Sequence, residues 1–341
     1  MKKDFPAIIG NDELCDHFSS AIRSNSLSHA YILLGPAGSG KHTLAYSLAA
    51  ALSCEHRGDP DHAIPCGVCD ACRKILSHIS SDVILIGRED RATLGIESVR
   101  FIRSDVTVYP NDLDKKIYII EDAETMTEQA QNALLLTLEE PPEYVVFLLL
   151  CKHTENLLDT IKSRAPILRM NALSREQIVD YLTLNSPDAT ALMRSSPDVF
   201  DQLLKISAGS LGRTLELIGG KSKEKLLKNR RIAGDLISAI ADRSVSTSFY
   251  SLFSEFSLSR EELGDQLLQL EYAIRDLIVT KGAESPSLIF FTDKERAEEL
   301  SYSFSLKKLI EMLELTDSSR LSIARNANIR LTLTNLLTSL L

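Results

Sequence analysis

The stretch Gly35-Pro-Ala-Gly-Ser-Gly-Lys-His-Thr43 decides the fold of the first half of this 341-residue chain. It follows an apolar run at residues 31–34 and precedes Leu44 and Leu48, which have helical spacing. Between a strand and a helix, such a glycine-rich loop directs successive backbone N–H groups at phosphate oxygens, and Lys41 can reach the terminal phosphates. The stretch therefore predicts a phosphate-binding loop, and the alternative is a glycine-rich structural turn.

Four further apolar runs of strand length follow this loop, and they lie at residues 83–86, 117–120, 145–150 and 167–170. They lack polar alternation, which is typical of strands that are buried on both faces, and helical patterns separate them. We therefore expect an α/β fold with a parallel sheet over residues 1–170.

The second half of the sequence is predicted to be helical. A capping box at Ser174-Arg-Glu-Gln177 starts one helix, and two further short helical patterns end near Gly219-Gly220. This pattern predicts a small helical domain at residues 171–220. The basic stretch 221–231 is expected to link it to a third domain at 221–341, where residues 263–279 and 306–341 indicate a helix bundle.

Charge and hydropathy exclude several classes of protein. Acidic residues outnumber Lys and Arg by 47 to 38, so a formal charge of −9 opposes coating of DNA by this chain alone. The apolar run at 145–151 is far shorter than the 18 or so residues of a membrane helix. Asp4 and Pro6 interrupt the region where an export signal needs apolar residues. We expect a cytoplasmic protein without membrane contact.

One position departs from the phosphate-loop pattern G-x-x-x-x-G-K-[ST]. His42 stands where a hydroxyl would join the Mg²⁺ shell, and imidazole is a poor ligand for a hard cation. Thr43 would need a one-residue shift to replace that hydroxyl. We expect ATP or ADP to bind, Mg²⁺ to be disfavoured and hydrolysis to be feeble or absent. The predicted nucleotide-binding residues are Gly35, Pro36, Ala37, Gly38, Ser39, Gly40, Lys41, His42, Thr43, Glu121 and Asp122.

Glu121 and Asp122 end the apolar run at 117–120. In a nucleotide-hydrolysing site one such carboxylate holds Mg²⁺ and the other orients the attacking water. The usual order is Asp then Glu, and the inverted order displaces each carboxylate by about one methylene. Acidic residues that merely cap a strand at the surface are the alternative.

The spacing Cys54-x11-Cys66-x2-Cys69-x2-Cys72 supplies four thiolates within nineteen residues. Four sulfurs can enclose a structural Zn²⁺ with no open coordination position. An iron–sulfur cluster is the alternative, although Leu76 and Ser77 stand where a ferredoxin-type run has its fourth Cys and a Pro. Clustered free thiols are a third possibility. Cys15 and Cys151 lie in apolar patterns and are expected to be buried packing residues.

The loop, the four-Cys insertion and the stretch Ala133-Leu-Leu-Leu-Thr-Leu-Glu-Glu-Pro-Pro142 together resemble the bacterial clamp-loader branch of the AAA+ ATPases. The resemblance implies a parallel-sheet domain with a zinc module at residues 54–72, a helical lid domain and a C-terminal helical collar. It also implies a hetero-pentamer with subunits of the tau/gamma and delta types, which acts on a sliding clamp and primer-template DNA. The departures at His42 and at Glu121-Asp122 fit a stator, a rigid subunit of that ring that does not hydrolyse ATP itself.

The resemblance also singles out Arg164 in Ser163-Arg164-Ala165, where the family has Ser-Arg-Cys. It implies an arginine finger that acts on the ATP of a neighbouring subunit. A surface Arg that closes a turn is the alternative. The family's sensor positions fall near Cys151-Lys152 and near Arg213, whose offset from the family pattern leaves its role open.

Two other functions are compatible with the motifs. An authentic ATPase motor of the same family would use Lys41, Glu121 and Asp122 as catalytic residues, and position 42 discriminates it from a stator. A P-loop kinase acting on a small metabolite is the third hypothesis, although no acceptor site is visible in the sequence.

Overall fold

The computed structural model describes residues 3–88, 93–242, 254–283 and 286–340. The chain divides into two compact units, one of Met1–Tyr181 with Gly209–Arg213 and one of Leu182–Ala208 with Thr214–Leu341. The strands are β1 (Ala30–Leu34), β2 (Val83–Ile86), β3 (Lys116–Ile120), β4 (Val145–Cys151) and β5 (Ile167–Arg169). The helices around them are α1 (Asp12–Arg23), α2 (Lys41–Leu52), α3 (Asp70–Leu76), α4 (Ile96–Asp105), α5 (Glu128–Glu139) and α6 (Asp159–Lys162).

The strands form one parallel sheet in the order β2-β3-β4-β1-β5. The registers pair Leu34 with Cys151 and Ile120 with Leu149, so β1, β4 and β3 end at the same edge. In open α/β sheets, ligands bind outside the carboxyl ends of the strands. The phosphate loop after β1 and the acidic pair after β3 therefore lie at the same edge of the sheet.

The predicted parallel α/β fold is confirmed, with one correction on burial. Strands β1, β3 and β4 are buried along their whole length, as their continuous apolar runs predict. Strands β2 and β5 are edge strands and are partly exposed, and Leu85 is 45% exposed. An apolar run alone does not tell whether neighbours cover a strand on both sides.

The remaining helices are α7 (Arg175–Asn185), α8 (Pro187–Ser195), α9 (Pro197–Ser207), α10 (Leu211–Ile218), α11 (Gly220–Ala241), α12 (Arg260–Gly282), α13 (Lys294–Tyr302), α14 (Leu306–Ala324) and α15 (Ile329–Leu340). The capping box exists as predicted, because Ser174 and Gln177 exchange backbone-to-side-chain hydrogen bonds of 2.9 and 3.2 Å. Three helices, not two, follow α7 before Gly219, because Pro187 and Pro197 begin helices instead of breaking them.

Helices α11 to α15 form the predicted C-terminal bundle around a core that includes Leu236, Leu267, Ile274 and Leu336. The basic stretch 221–231 lies within helix α11, and its role as a link between domains stays a prediction. Leu341 lies outside the described residues. The three-domain division stays a prediction. Among the residues that the structure describes, no helix is both long and apolar enough to cross a bilayer.

Candidate functional site

The phosphate loop has the backbone shape that its glycines predict. Gly38 and Gly40 adopt φ values of +70° and +91°, which side-chain-bearing residues rarely adopt. Helix α2 begins at Lys41, and no side chain caps its first N–H groups. Those N–H groups and the positive end of α2 can therefore face an anion.

Lys41 is anchored inside this loop. Its ammonium group donates to the carbonyl oxygens of Gly35 at 2.6 Å and Pro36 at 2.8 Å. Burial lowers the pKa of Lys41, and the neighbouring Lys152 acts in the same direction. A lysine has three N–H donors, so one remains to reach a phosphate.

The segment Gly209–Arg213 contacts the loop directly. The backbone N–H of Gly212 donates to the carbonyl of Gly38 at 3.0 Å, and the Ser210 hydroxyl donates to the carbonyl of Ala37 at 2.9 Å. A Cβ on Gly38 would lie 2.8 Å from the backbone nitrogen of Arg213. The backbone of Arg213 therefore lies beside the loop, although its sensor role stays a prediction.

His42 lies next to the first carboxylate of the acidic pair. Its Nδ1 is 3.2 Å from Oε1 of Glu121, and both side chains are partly exposed. The Glu121 carboxylate also passes close to Gly87, where an added Cβ would lie 2.9 Å from Oε2. In phosphate-loop enzymes these two positions supply a hydroxyl and a carboxylate to Mg²⁺. Here the two side chains contact each other.

Asp122 lies between two cations that come from the neighbouring strand ends. Lys152, which follows β4, places Nζ 2.8 Å from Oδ1, and Arg88, which follows β2, places Nη2 2.8 Å from Oδ2. Although partial burial opposes ionisation, Lys152 and Arg88 lower the pKa of Asp122 below its usual value. The carboxylate is therefore ionised, and both of its oxygens already have a cationic partner.

Two residues near this site escaped the sequence analysis. Arg88 is one, and the signal that could have found it is a basic residue two positions after a strand. Glu124 is the other: it is 4% exposed, and its Oε2 has no hydrogen-bond partner among the described residues. The charge of Glu124 acts on Lys41 by raising its pKa against the effect of burial.

Arg164 is held by a carboxylate from the stretch that carries the family resemblance. Its Nη2 lies 2.6 Å from Oε1 of Glu139, and its Nη1 donates to the Thr160 carbonyl at 3.0 Å. The Arg164 side chain keeps 33% of its exposure. It is thus oriented at the surface and partly accessible.

The four predicted metal-binding cysteines come together after α2 and at the start of α3. The sulfurs of Cys54, Cys66, Cys69 and Cys72 all lie within 4.8 Å of one another, and those of Cys66 and Cys72 are 3.9 Å apart. Sulfurs around tetrahedral Zn²⁺ at about 2.3 Å are roughly 3.8 Å apart. Backbone N–H groups of Cys69 and Cys72 point at the sulfurs of Cys66 and Cys69 at 3.4 and 3.5 Å.

This donor set fits a structural zinc ion. Burial raises the pKa of Cys54 and Cys72, whereas at Cys66 the backbone N–H groups of Cys69 and Val68 outweigh burial and lower the pKa to about 7. Thiolates are the form that binds metal. Cys15 and Cys151 are buried apart from this cluster, at 2% and 0% exposure, as predicted.

A glycine-rich loop between β1 and α2 of a parallel sheet defines a P-loop α/β domain. Comparison with known proteins agrees with that class. The profile of the family described as "DNA polymerase III, delta subunit" matches residues 10–174. A gamma subunit-related protein of Thermotoga maritima has a similar fold, with a TM-score of 0.50 and 20% identity over 95% of this chain and 97% of that chain.

The sequence relatives are subunits of the same polymerase. The chain is 27% identical to DNA polymerase III subunit tau of Bacillus subtilis over 339 residues, which cover 92% of this chain and 57% of that protein. It is 33% identical to subunit tau of Escherichia coli over 215 residues, 62% of this chain and 32% of the relative. The chain thus spans between one third and three fifths of these two relatives. Most of the chain is therefore similar to subunits of DNA polymerase III, and residues 10–174 match the family model of its delta subunit.

Proposed function

We propose that the chain is the delta prime type of clamp-loader subunit, a stator that helps to load a sliding clamp onto primed DNA and supplies Arg164 to a neighbour's ATP. The observation that carries this proposal is that both acidic residues after β3 are engaged within the chain. Lys152 and Arg88 hold Asp122, and His42 contacts Glu121. Both oxygens of Asp122 are thus paired and Oε1 of Glu121 lies beside His42, which disfavours their use in holding Mg²⁺ or orienting water.

The proposal includes the cofactors and partners of the family. Cys54, Cys66, Cys69 and Cys72 would hold a structural Zn²⁺, which orders the segment between them. The phosphate loop would bind ATP or ADP without turnover. The partners would be subunits of the tau/gamma and delta types in a cytoplasmic hetero-pentamer, with residues 171–220 as the lid and residues 221–341 as the collar.

Assembly and turnover test the stator role together. The purified chain is mixed with tau/gamma, delta and clamp, and native mass spectrometry measures the mass of the product. We expect a pentamer that contains one copy of this chain, and turnover by the isolated chain well below about 1 per second, a common rate for enzymes. A chain that stays alone contradicts the stator role.

Arg164→Ala in the assembled ring tests the arginine finger. We expect normal assembly and a reduced DNA-stimulated ATPase rate, since an arginine finger contributes roughly 10³–10⁵ to the rate at the site it serves. Arg100→Ala is the matched control, because Arg100 is also an exposed arginine with a carboxylate, Glu97, at 2.6 Å. If the two variants retain the same ATPase rate, Arg164 is not a finger.

The second candidate is an ATPase motor of the tau/gamma kind. The intact Lys41 and the relatives named tau favour it. In that case the isolated chain would hydrolyse ATP with Mg²⁺, and Lys41→Ala would abolish the activity. Steady-state turnover of the chain without partners therefore separates the two functions.

A further inference from the structure

The segment between Cys54 and Cys66 carries a second group of metal-binding side chains. His56, Asp59 and His62 each offer one ligand atom, and these atoms lie within 4.8 Å of one another. None of them is a cysteine of the four-sulfur cluster. We propose that His56, Asp59 and His62 form a second, separate site for a divalent transition-metal ion, with Zn²⁺ as its occupant.

The spacing of these residues follows from the local backbone. The N–H of Asp59 donates to the carbonyl of His56 at 3.0 Å, and the N–H of His62 donates to the carbonyl of Asp59 at 3.3 Å. Two successive turns with i to i+3 hydrogen bonds bring every third side chain to the same side. The sequence H-x-x-D-x-x-H therefore places all three side chains on one face of this segment.

The three side chains lie close together, and rotation of the stacked imidazole rings would direct their nitrogens at one ion. Nδ1 of His62 lies 2.8 Å from Oδ2 of Asp59, and the rings of His56 and His62 stack with centroids 4.4 Å apart and planes 14° apart. Nitrogen and oxygen ligands about 2.0–2.1 Å from tetrahedral zinc are roughly 3.3 Å apart. A zinc ion can therefore bridge these atoms once their separations shrink by up to about 1.5 Å.

The scaffold holds the segment in place without a metal. Arg23 of α1 donates to the carbonyl oxygens of Asp59 at 2.9 Å and of His62 at 3.1 Å. Asp4 accepts from the N–H of Ile64 at 2.9 Å and from Arg23 at 3.2 Å. These bonds fix two ligand-bearing residues through their backbone, so less conformational entropy is lost when an ion binds.

Two imidazoles and one carboxylate are a ligand set that zinc uses elsewhere with a water molecule in the fourth position. All three side chains are partly accessible, and His62 keeps 43% of its side-chain exposure. The proposed site is therefore open and reachable from solvent, whereas three of the four cysteines are buried. We expect it to bind zinc more weakly than the four-sulfur cluster and to exchange it faster.

Zinc stoichiometry of the full chain tests the proposal. The chain is saturated with Zn²⁺, freed of excess by gel filtration into buffer with a fixed free Zn²⁺ concentration, and measured by elemental mass spectrometry. We expect two zinc ions per wild-type chain and one in His56→Ala and His62→Ala. The control is His153→Ala. Nδ1 of His153 lies 3.0 Å from Glu155, but among the described residues this pair does not belong to a group of three possible metal ligands.

A titration separates loss of the site from loss of the fold. Zn²⁺ titrated calorimetrically into the wild type should give a tight phase and a weaker phase. Losing an outer-shell partner weakens metal binding roughly 10–100-fold. In His62→Ala the affinity of the weaker phase should fall by more than this, while the tight phase persists. A retained tight phase shows that the variant is folded. One zinc per wild-type chain at saturation, or two in the His56→Ala/His62→Ala double variant, would overturn the proposal.

Discussion

Gly38 and Gly212 are in backbone contact: the N–H of Gly212 donates to the Gly38 carbonyl at 3.0 Å, and a Cβ on Gly212 would lie 3.0 Å from the Gly38 Cα. A side chain at either position would separate the phosphate loop from the start of α10. Gly212, the residue that offsets Arg213 from the family pattern, thus allows the start of α10 to lie against the phosphate loop.

Gly212→Ala should therefore destabilise the chain relative to a matched helical glycine. Gly264 in α12 has open space around its Cβ position, so Gly264→Ala should stabilise by about 0.5–1 kcal/mol through helix propensity. Gly212→Ala should lack this gain, because the loop backbone must move. Urea unfolding measures both free energies, and an equal gain in both variants would refute the contact.

The cations around Asp122 predict a pH-dependent contribution to stability. The folded-state pKa of Asp122 is lowered, while the unfolded value is about 4. The contribution is therefore complete above about pH 4 and is lost as the pH falls through the folded pKa. Asp122→Asn should cost roughly 1–2 kcal/mol near neutral pH, and the difference should shrink at lower pH.

Asp114→Asn is the control for that experiment. Asp114 pairs with Arg57 at 2.6 Å, but its side chain is 52% exposed. An exposed pair contributes at most about 1 kcal/mol and often nothing. If the Asp114 and Asp122 variants lost the same free energy of unfolding, the two cations around Asp122 would stabilise the fold no more than an exposed ion pair does.

Asp276 is a buried carboxylate that organises the C-terminal bundle. It is 0% exposed, and it accepts backbone N–H groups of Ile289, Phe290 and Phe291 at 2.7–3.1 Å. Asp276→Ala should cost about 3–5 kcal/mol, because Arg275 and three buried or part-buried N–H groups would lose their partner. Asp265→Ala on the same helix is the control. The Asp265 side chain is 46% exposed and pairs with Lys225, so its loss should lower the free energy of unfolding by less than about 1 kcal/mol. Differential scanning calorimetry compares the two.

Removal of metal should destabilise the first unit through the cysteine cluster. In a domain of this size each 1 kcal/mol of stabilisation by zinc raises Tm by roughly 2–4 °C, so a strong chelator should lower Tm by at least that much. Cys69→Ser should remove the response to chelator, whereas His56→Ala/His62→Ala should retain it. A chelator-insensitive wild type contradicts a structural metal, and a brown chain containing iron would favour the cluster alternative.

The sequence predicts the central sheet because β1, β3 and β4 are continuous apolar runs that both faces of the sheet bury. It does not predict that Lys152 and Arg88 meet at Asp122, because that contact depends on the order of β2, β3 and β4 in space. The three residues lie far apart in the sequence, at the ends of three different strands, so no local pattern connects them.

Helix boundaries show a second limit. Pro187 and Pro197 each follow a serine, and a proline inside a helical pattern is usually interpreted as a break. Both prolines occupy the first turn of a helix, where no N–H bond is needed, so an additional helix forms. Asp276 escaped for a different reason: apart from Arg275, its partners are backbone N–H groups, which no side-chain pattern reveals.

The ion pair between Arg164 and Glu139 has a consequence for assembly. If Arg164 serves a neighbour's nucleotide, the phosphate must compete with a carboxylate that already neutralises the guanidinium. Such binding exchanges one anion for another, so its net free energy is smaller than that of forming the arginine–phosphate pair alone. A contact made by exchange also dissociates with little penalty, since the released arginine returns at once to Glu139.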